Sequence, residues 1–279
     1  WVRVAENLWY STDGVFGRPV EVVGRVVLIF ILFGAVLHTS GAGEVLLKFA
    51  FAATGRFSGG PAHAAIVGSA MFGTLSGSPV ANVVSTGVFT IPIIKQSGFR
   101  AKFAGAVEAA ASTGGQIMPP VMGVVAFLMA DVTGIPYLKI VVAALIPAAM
   151  YYVSLFIVVF IEAKKKGIAP VPKEQRQVIT RSDWLKSLAF WAPLATLIYY
   201  LLDGRTPQNA GFAATIVAFI LCLLFFPNFR HPKKWLEMMI TAGKTSATLM
   251  IIVSSIGFVI GVVNMTGVGL QFAEAILVV

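Results

Sequence analysis

The feature that most constrains this chain is a charge-free stretch, residues 57–94, that is interrupted halfway by a Ser-Gly-Ser-Pro motif at 76–79. Its two arms, 61–75 and 79–94, contain about 15 residues each, so as helices they reach ~22 Å at 1.5 Å per residue. That length falls short of the ~30 Å hydrocarbon core of a bilayer. We therefore expect a re-entrant hairpin of two half-crossings that meet at a polar tip. Irregular backbone at this depth is tolerated only where protein buries it or where it lines a wet cavity, so the tip indicates a transport site.

The composition is that of a membrane protein. Hydrophobic residues make up 57% of the chain and charged residues 12%, whereas about a quarter of the residues in a soluble domain are charged. Apolar runs of spanning length with isolated polar residues favour helices over a β-barrel, in whose ~10-residue strands apolar and polar residues alternate. The sequence therefore predicts an all-α polytopic membrane protein. Its other charge-free runs are 26–43, 109–130, 140–161, 187–202, 206–229 and 245–273.

The net charge of +9 is explained by membrane orientation. Basic residues stand between the apolar runs and form no separate basic domain, which argues against a nucleic-acid surface. The positive-inside rule assigns the clusters at 95–102, 164–181 and 230–234 to the cytoplasm. The predicted topology follows: 22–40 runs inward, hairpin 61–94 enters and leaves from the cytoplasm, 101–130 runs outward, 137–161 returns, 184–202 runs outward, 208–226 returns and 245–265 runs outward.

The two halves of the chain are predicted to be related by an inverted repeat. Residues 35–43 can be aligned with 261–269; both end an apolar segment at Gly-x-Gly, and the topology runs them in opposite directions. Such repeats are typical of secondary transporters; the alternative is chance similarity between two helix ends. We expect a second hairpin after Val279, so the second repeat is truncated. The predicted regions are 1–21 (N-terminal flank), 22–163 (first repeat, with hairpin 61–94 and broken helix 101–130), 164–183 (cytoplasmic linker), 184–234 (connecting transmembrane hairpin) and 235–279 (start of the second, inverted repeat).

The polar hairpin tip is suited to ions of both signs. Ser78 can cap the second half-helix, and Pro79 suits its first turn, where its missing N–H costs nothing. The start of this half-helix offers backbone donors and a positive end to an anion. The preceding half-helix ends near Ser76 with unpaired carbonyls, which suit a small cation.

A second break at 112–120 has the same pattern of polar and glycine residues followed by prolines. Two breaks at similar depth can form one site, and hard cations prefer carbonyl and hydroxyl oxygens. The alternative for such small residues is close helix packing, which we prefer for Gly68 and Gly73. We predict cation coordination by Ser76, Ser78, Thr113 and Gly114, and substrate contacts from Gly77, Ser78, Pro79, Asn82 and Gly115.

One acidic residue, Glu108, lies inside the apolar zone. Intramembrane acids are costly and mark functional positions, so Glu108 is predicted either to carry a proton or to hold a neighbouring helix. We expect no cofactor and no metal beyond a coupling Na⁺ (or H⁺). Cys222 is the only cysteine, which excludes a disulfide framework and a thiolate metal site.

Two motifs resemble a known family. Gly-Thr-Leu-Ser-Gly-Ser-Pro-Val-Ala-Asn at 73–82, followed by Glu-Ala-Ala-Ala-Ser-Thr-Gly-Gly-Gln-Ile-Met-Pro-Pro at 108–120, resembles the large, DctM-like membrane subunit of the tripartite ATP-independent periplasmic (TRAP) transporters, most closely the TAXI-type fused permeases. The resemblance implies that Ser76, Ser78, Thr113 and Gly114 lie at the family's first-hairpin cation site. It also implies that the chain lacks scaffold helices before residue 20 and has lost both ends.

The same resemblance implies a permease of the bacterial or archaeal cytoplasmic (inner) membrane. It would receive a small organic anion, commonly a carboxylate, from an extracytoplasmic solute receptor. An elevator-like domain would carry this anion by symport, driven by a sodium gradient or in some members by protons. We therefore predict a secondary active transporter and not an enzyme.

Other functional classes have weaker support in the sequence. An ion channel can also be built on a re-entrant loop, but its filter usually arises by symmetric assembly around a pore. The segment 242–246 imitates the end of a phosphate loop, yet Met238 stands where the earlier glycine is required. An intramembrane protease would need a nucleophile and a base at one depth, for which His63 and Ser78 are the available pair.

Overall fold

The computed structural model describes residues 2–12, 14–172, 174, 176–268 and 271, and within these residues the chain forms helices and turns without a β-strand. The predicted all-α class is confirmed. The helices are α1 (Val2–Tyr10), α2 (Arg18–Val22), a π-helical turn (Val23–Val27), α3 (Leu28–Ser40), α4 (Ala42–Thr54), α5 (Gly60–Ser76), α6 (Pro79–Gln96), α7 (Ala101–Gly114), α8 (Val124–Thr133), α9 (Tyr137–Lys165), α10 (Arg181–Leu202), α11 (Pro207–Phe225), a 3₁₀ turn (Pro227–Arg230) and α12 (Pro232–Thr266).

Five segments of the described chain are long and apolar enough to cross a bilayer: Arg18–Ser40, Tyr137–Lys165, Arg181–Leu202, Pro207–Phe225 and Pro232–Thr266. The first, formed by α2, the π-helical turn and α3, is central, because 56% of its apolar window is buried against 17% in α9 and in α12. The exposed apolar faces of α9 and α12 suit contact with lipid.

Both predicted helix breaks are present. The hairpin consists of α5 and α6, which are separated only by Gly77 and Ser78. The second break separates α7 from the ten-residue α8, with turns between them at 115–123. Neither α5 nor α7 continues as one helix through its glycine and proline residues, as expected for backbone that these residues interrupt.

The last helix is longer than the predicted crossing 245–265, which stays a prediction. Helix α12 begins at Pro232 and runs for 35 residues, which gives ~52 Å of helix against the ~30 Å of a hydrocarbon core. Pro232 sits in the first turn, where its missing N–H is tolerated. Lys233, Lys234 and Lys244 lie in residues 232–244. A search for apolar runs therefore left this part of the helix out, although its backbone is helical. Segment 242–246 is therefore helix interior and not a phosphate loop.

The helices pack around two apolar clusters. In the larger one, α3 contacts α11 and α12, and Phe33 is fully buried. The smaller one lies between α5, α7 and α9, around Ile66, Ala104 and Val159. Helix α4 joins the hairpin to the rest of the molecule, because it contacts both α5 and α10. Lys48 of α4 pairs with Asp183 of α10, with 2.5 Å between Nζ and Oδ2.

The two segments compared as an inverted repeat end in the same backbone conformation. Helix α3 ends at Gly41, with φ 85°, and α12 ends at Gly267, with φ 68°, both in the left-handed region that glycine adopts at helix ends. Gly269, the second glycine of the later copy, lies outside the described residues. The repeat and the division into regions stay predictions.

Candidate functional site

The hairpin tip is a compact turn between two helix ends. Gly77 has φ 56°, in the left-handed region, and its N–H donates to the Gly73 carbonyl at 3.1 Å, which closes α5. Ser78 is extended, and its Oγ accepts from the N–H of Ala81 at 3.4 Å; Pro79 follows as the first residue of α6. The predicted cap and first-turn proline are thus confirmed. The side chain of Ser76 lies outside the described part of the structure.

The second break is held by its own turns and by a tyrosine. The N–H of Gln116 donates to the Thr113 carbonyl at 3.1 Å, and the N–H of Gly123 donates to the Gln116 carbonyl at 2.7 Å. The hydroxyl of Tyr137, at the start of α9, lies between the carbonyls of Pro120 and Val121, 2.9 Å from the first. Because these carbonyls have no helical partner, Tyr137 compensates for an interruption of the helix. The sequence analysis did not predict this contribution of Tyr137.

The two breaks are in direct contact. A Cβ on Gly73 would overlap the Cα of Gly115, and a Cβ on Gly77 would overlap the Met122 carbonyl and lie 3.2 Å from the Cα of Gly123. Only glycine permits this approach of backbone to backbone. The structure therefore brings the hairpin tip and the second break together, and the packing interpretation of Gly73 is confirmed.

The neighbouring glycines of the second break face different helices. Gly115 contacts the hairpin, whereas a Cβ on Gly114 would lie 2.5 Å from the Tyr151 ring and 2.9 Å from the Tyr152 ring on α9. Thr113 is exposed, and its hydroxyl donates to the Ala109 carbonyl of its own helix at 2.8 Å. Gly114 therefore packs against α9, and the Thr113 hydroxyl is hydrogen-bonded within α7.

Asn82 is enclosed between the hairpin arms. It is fully buried, and its Nδ2 donates to the Ser69 carbonyl of α5 at 2.8 Å. In this conformation the amide faces the opposite arm, where it satisfies a backbone acceptor, and not an open surface.

Glu108 is the centre of a buried polar cluster. Its carboxylate, on α7, accepts hydrogen bonds from hydroxyl groups of α5, α6 and α7 itself: Ser69, Thr86, Thr90 and Ser112. The predicted function as a residue that holds neighbouring helices is supported by these contacts. The four hydroxyl partners were missed, although the four-residue spacing of Thr86 and Thr90 puts these two on one helix face.

A cavity of about 650 Å³ separates the hairpin from the α3–α4 corner. Thr86 and Phe72 line its hairpin side, and Ser40 lies at the end of α3 on the other side. The helix ends around it are those that the basic clusters assign to the cytoplasm. Charged and titratable side chains in its lining are His38, Glu44, Lys186, Lys234 and Glu237.

His63 has a packing role in the structure. Its buried ring lies edge-on against Phe156, with 4.6 Å between centroids, and stacks on Phe57. It stands in the first turn of α5, fifteen positions before Ser78, so ~22 Å of helix separate the two. The pairing that an intramembrane protease would need is therefore contradicted.

Apolar helices of spanning length, together with a helical hairpin and a broken helix that meet through glycines, define a multi-pass membrane protein. The sequence profile of the family described as "Tripartite ATP-independent periplasmic transporter, DctM component" matches residues 13–279. The chain belongs to this family, which is one of transporters and not of enzymes, and it is an inner-membrane protein.

Individual relatives agree with this assignment. The chain is 29% identical over 234 residues to the C4-dicarboxylate TRAP transporter large permease protein DctM of Pseudomonas aeruginosa, covering 81% of this chain and 52% of the relative. It is 30% identical to the protein of the same name from Vibrio cholerae, over 69% of this chain and 42% of the relative. It is 25% identical to the sialic acid TRAP transporter large permease protein SiaM of Vibrio cholerae, with 81% and 52% covered. The chain spans about half the length of the curated relatives that it matches.

Proposed function

We propose that the chain belongs to a permease that takes up a small organic anion by ion-gradient-driven symport. Family membership is the main support, and the contact between the hairpin tip and the second break is the structural observation that carries the proposal. Two helix ends meet there, and the backbone groups of such ends can hold a charged cargo and a coupling ion side by side.

The proposed substrate class is a carboxylate. Relatives are named for C4-dicarboxylates and for sialic acid, both of which carry carboxylate groups. The first turn of α6, with Ser78 as its cap and Pro79 as its first residue, presents a positive helix end. A helix end of this kind favours an anion.

The proposed coupling ion is Na⁺ or H⁺, with Ser76, Ser78, Thr113 and Gly114 as its predicted site. The clearest structural support concerns Ser78, whose hydroxyl lies at the turn between two helices. Oxygen ligands from such breaks suit a hard cation. An elevator-type movement of the hairpin region, delivery by an extracytoplasmic receptor and the TAXI-type fused architecture are part of the same proposal.

The proposal is tested by uptake. The full-length gene product is reconstituted in liposomes with its solute receptor, and uptake of succinate and of sialic acid is measured with sodium and pH gradients imposed separately. We expect one of the two gradients to drive accumulation of at least one anion. Accumulation that persists after both gradients are collapsed contradicts ion coupling, and gradient-independent ion current favours the channel.

A single variant then tests the predicted site. Ser78→Gly removes the hydroxyl but keeps a residue that caps helices almost as well, so its stability cost is only a few tenths of a kcal/mol. We expect a higher cation concentration to be needed for half-maximal uptake. Ser154→Gly, at an exposed position of α9, is the matched control. An unchanged cation dependence removes Ser78 from the site.

A further inference from the structure

Glu108 is a fully buried acid without a cationic partner in the described part of the chain. None of the ion pairs between described residues involves it. On its own helix the nearest basic residue is Lys102, six positions earlier and ~9 Å along the axis. An ionised carboxylate in such surroundings is costly unless hydrogen bonds satisfy it. The groups around the carboxylate therefore determine which charge states it can adopt.

The facing groups are uncharged and come from every neighbouring helix. Thr90 Oγ1 lies 2.5 Å from Oε2, whereas Oε1 is bonded to Thr86 and lies 3.1 Å from Ser69 Oγ and 3.4 Å from Ser112 Oγ. Gly87 lets α6 approach, because a Cβ there would lie 3.2 Å from the Glu108 Cγ. On the side of α9, the titratable hydroxyls of Tyr151 and Tyr152 donate to the carbonyls of Ala110 and Ala111.

Each threonine of this cluster has a second acceptor one turn earlier. Thr86 Oγ1 lies 2.8 Å from the Asn82 carbonyl, and Thr90 Oγ1 lies 3.0 Å from the Thr86 carbonyl. When the carboxylate is ionised, both threonines can donate to it. When it is protonated, its O–H can donate to a threonine oxygen, and that threonine can turn its own proton to the carbonyl. The heavy atoms stay in place, and no polar group loses its partner in either state.

One of these threonines also reaches the cavity. Thr86 lines the 650 Å³ cavity between the hairpin and the α3–α4 corner, and its hydroxyl donates a hydrogen bond to Glu108. A hydronium ion in that space can give a proton to Thr86 Oγ1, which passes its own proton to Oε1, and a water molecule is left behind. The charged and titratable groups that share the cavity are His38, Glu44, Lys186, Lys234 and Glu237.

We propose that Glu108 is a reversible proton-binding site inside the hairpin region, and that Thr86 connects it to the cavity. In the ionised state the site holds one negative charge against four hydroxyl groups; in the protonated state it is neutral. A neutral hairpin region crosses a low-dielectric layer at lower cost than a charged one. This inference deepens the proposed function. Proton binding by Glu108 stands by itself, whereas the use of that proton as a coupling ion rests on the proposed function.

The site is tested by infrared spectroscopy of the full-length gene product in phosphatidylethanolamine–phosphatidylglycerol vesicles, without substrate or receptor. We expect a protonated-carboxyl band that changes with pH and is lost in Glu108→Gln. Glu174→Gln, at an exposed position, is the matched control and should keep the band. Identical spectra of the wild type and Glu108→Gln, over the pH range in which both stay folded, overturn the proposal.

Two pairs of threonine variants test the proposal if Glu108→Gln does not fold. Thr90→Val removes the partner of Oε2 and should shift the carboxyl band, whereas Thr90→Ser should not. Thr86→Val should slow the response of the band to a pH jump, and Thr86→Ser should restore it. A merely structural contribution of Thr86 would leave this response unchanged, and unshifted, equally fast bands in all four variants overturn the assignment.

The outcome is independent of the uptake experiment. A band that titrates in a protein without gradient-driven uptake supports the proton site and rejects the proposed function. Sodium-driven uptake without a titrating band supports the proposed function and rejects the proton site. If both hold, Glu108→Gln should abolish uptake driven by a pH gradient.

Discussion

Helices α11 and α6 use the same spacing to build opposite kinds of helix interface. On α11, Ala210, Ala214, Ala218 and Cys222 follow one another every four residues, and all are fully buried in the larger apolar cluster. On α6, positions 82, 86 and 90 have the same spacing but carry an amide and two hydroxyls directed at Glu108 and α5. The spacing brings the helix axes close in both cases. The first interface depends on side-chain size, and the second depends on matched hydrogen-bond partners.

The largest expected effect on stability is at the polar interface around Glu108, between α5, α6 and α7. Glu108→Ala leaves a cavity and removes the acceptor of four hydroxyl groups, so we expect the free energy of unfolding to fall by about 3 kcal/mol. The measurement is the thermal midpoint of the full-length gene product in detergent. Glu174→Ala, which is exposed, should leave the midpoint unchanged. Equal midpoints for the two variants would show that the hydroxyl cluster contributes no stability.

The apolar interface should respond to size alone. Ala214→Leu forces three extra carbons into a packed face, which we expect to cost about 2 kcal/mol. Ala214→Ser should cost less than about 0.5 kcal/mol, because its hydroxyl can bond to the carbonyl four residues earlier. The same thermal midpoints check both. A serine variant as damaging as the leucine variant would contradict a size-limited interface.

The smallest of these effects concerns the second helix break. Tyr137→Phe keeps the ring, which stacks on Phe127 with 4.5 Å between centroids, and removes the hydroxyl near the Pro120 and Val121 carbonyls. We expect a loss of about 1 kcal/mol. Tyr199→Phe, on an exposed side chain, is the control. A midpoint that moves no further in Tyr137→Phe than in this control would mean that water satisfies these carbonyls equally well.

Much of the local structure could be predicted because its causes are local. Ser78 and Pro79 begin a helix, and Gly77 ends one, through their own backbone preferences. The spans were visible as apolar runs. The start of α12 was not, since lysines at 233, 234 and 244 stop an apolar run without stopping a helix.

The candidate site was only partly predictable. The sequence could indicate that breaks at 76–79 and 112–120 belong together, but not which glycine faces which helix. Gly114 packs against tyrosines of α9, while its neighbour Gly115 packs against α5. Successive residues of a helix end point about 100° apart, so only the placement of α5 and α9 decides their contacts.

By itself, then, the sequence determined where the backbone must leave the helical path and which stretches suit lipid, because glycine, proline and apolar side chains act within one or two turns. Three of the four partners of Glu108 were decided by tertiary structure alone. Ser69, Thr86 and Thr90 lie 18 to 39 positions away along the chain. They meet the carboxylate only because α5 and α6 fold back beside α7, where burial strengthens its hydrogen bonds.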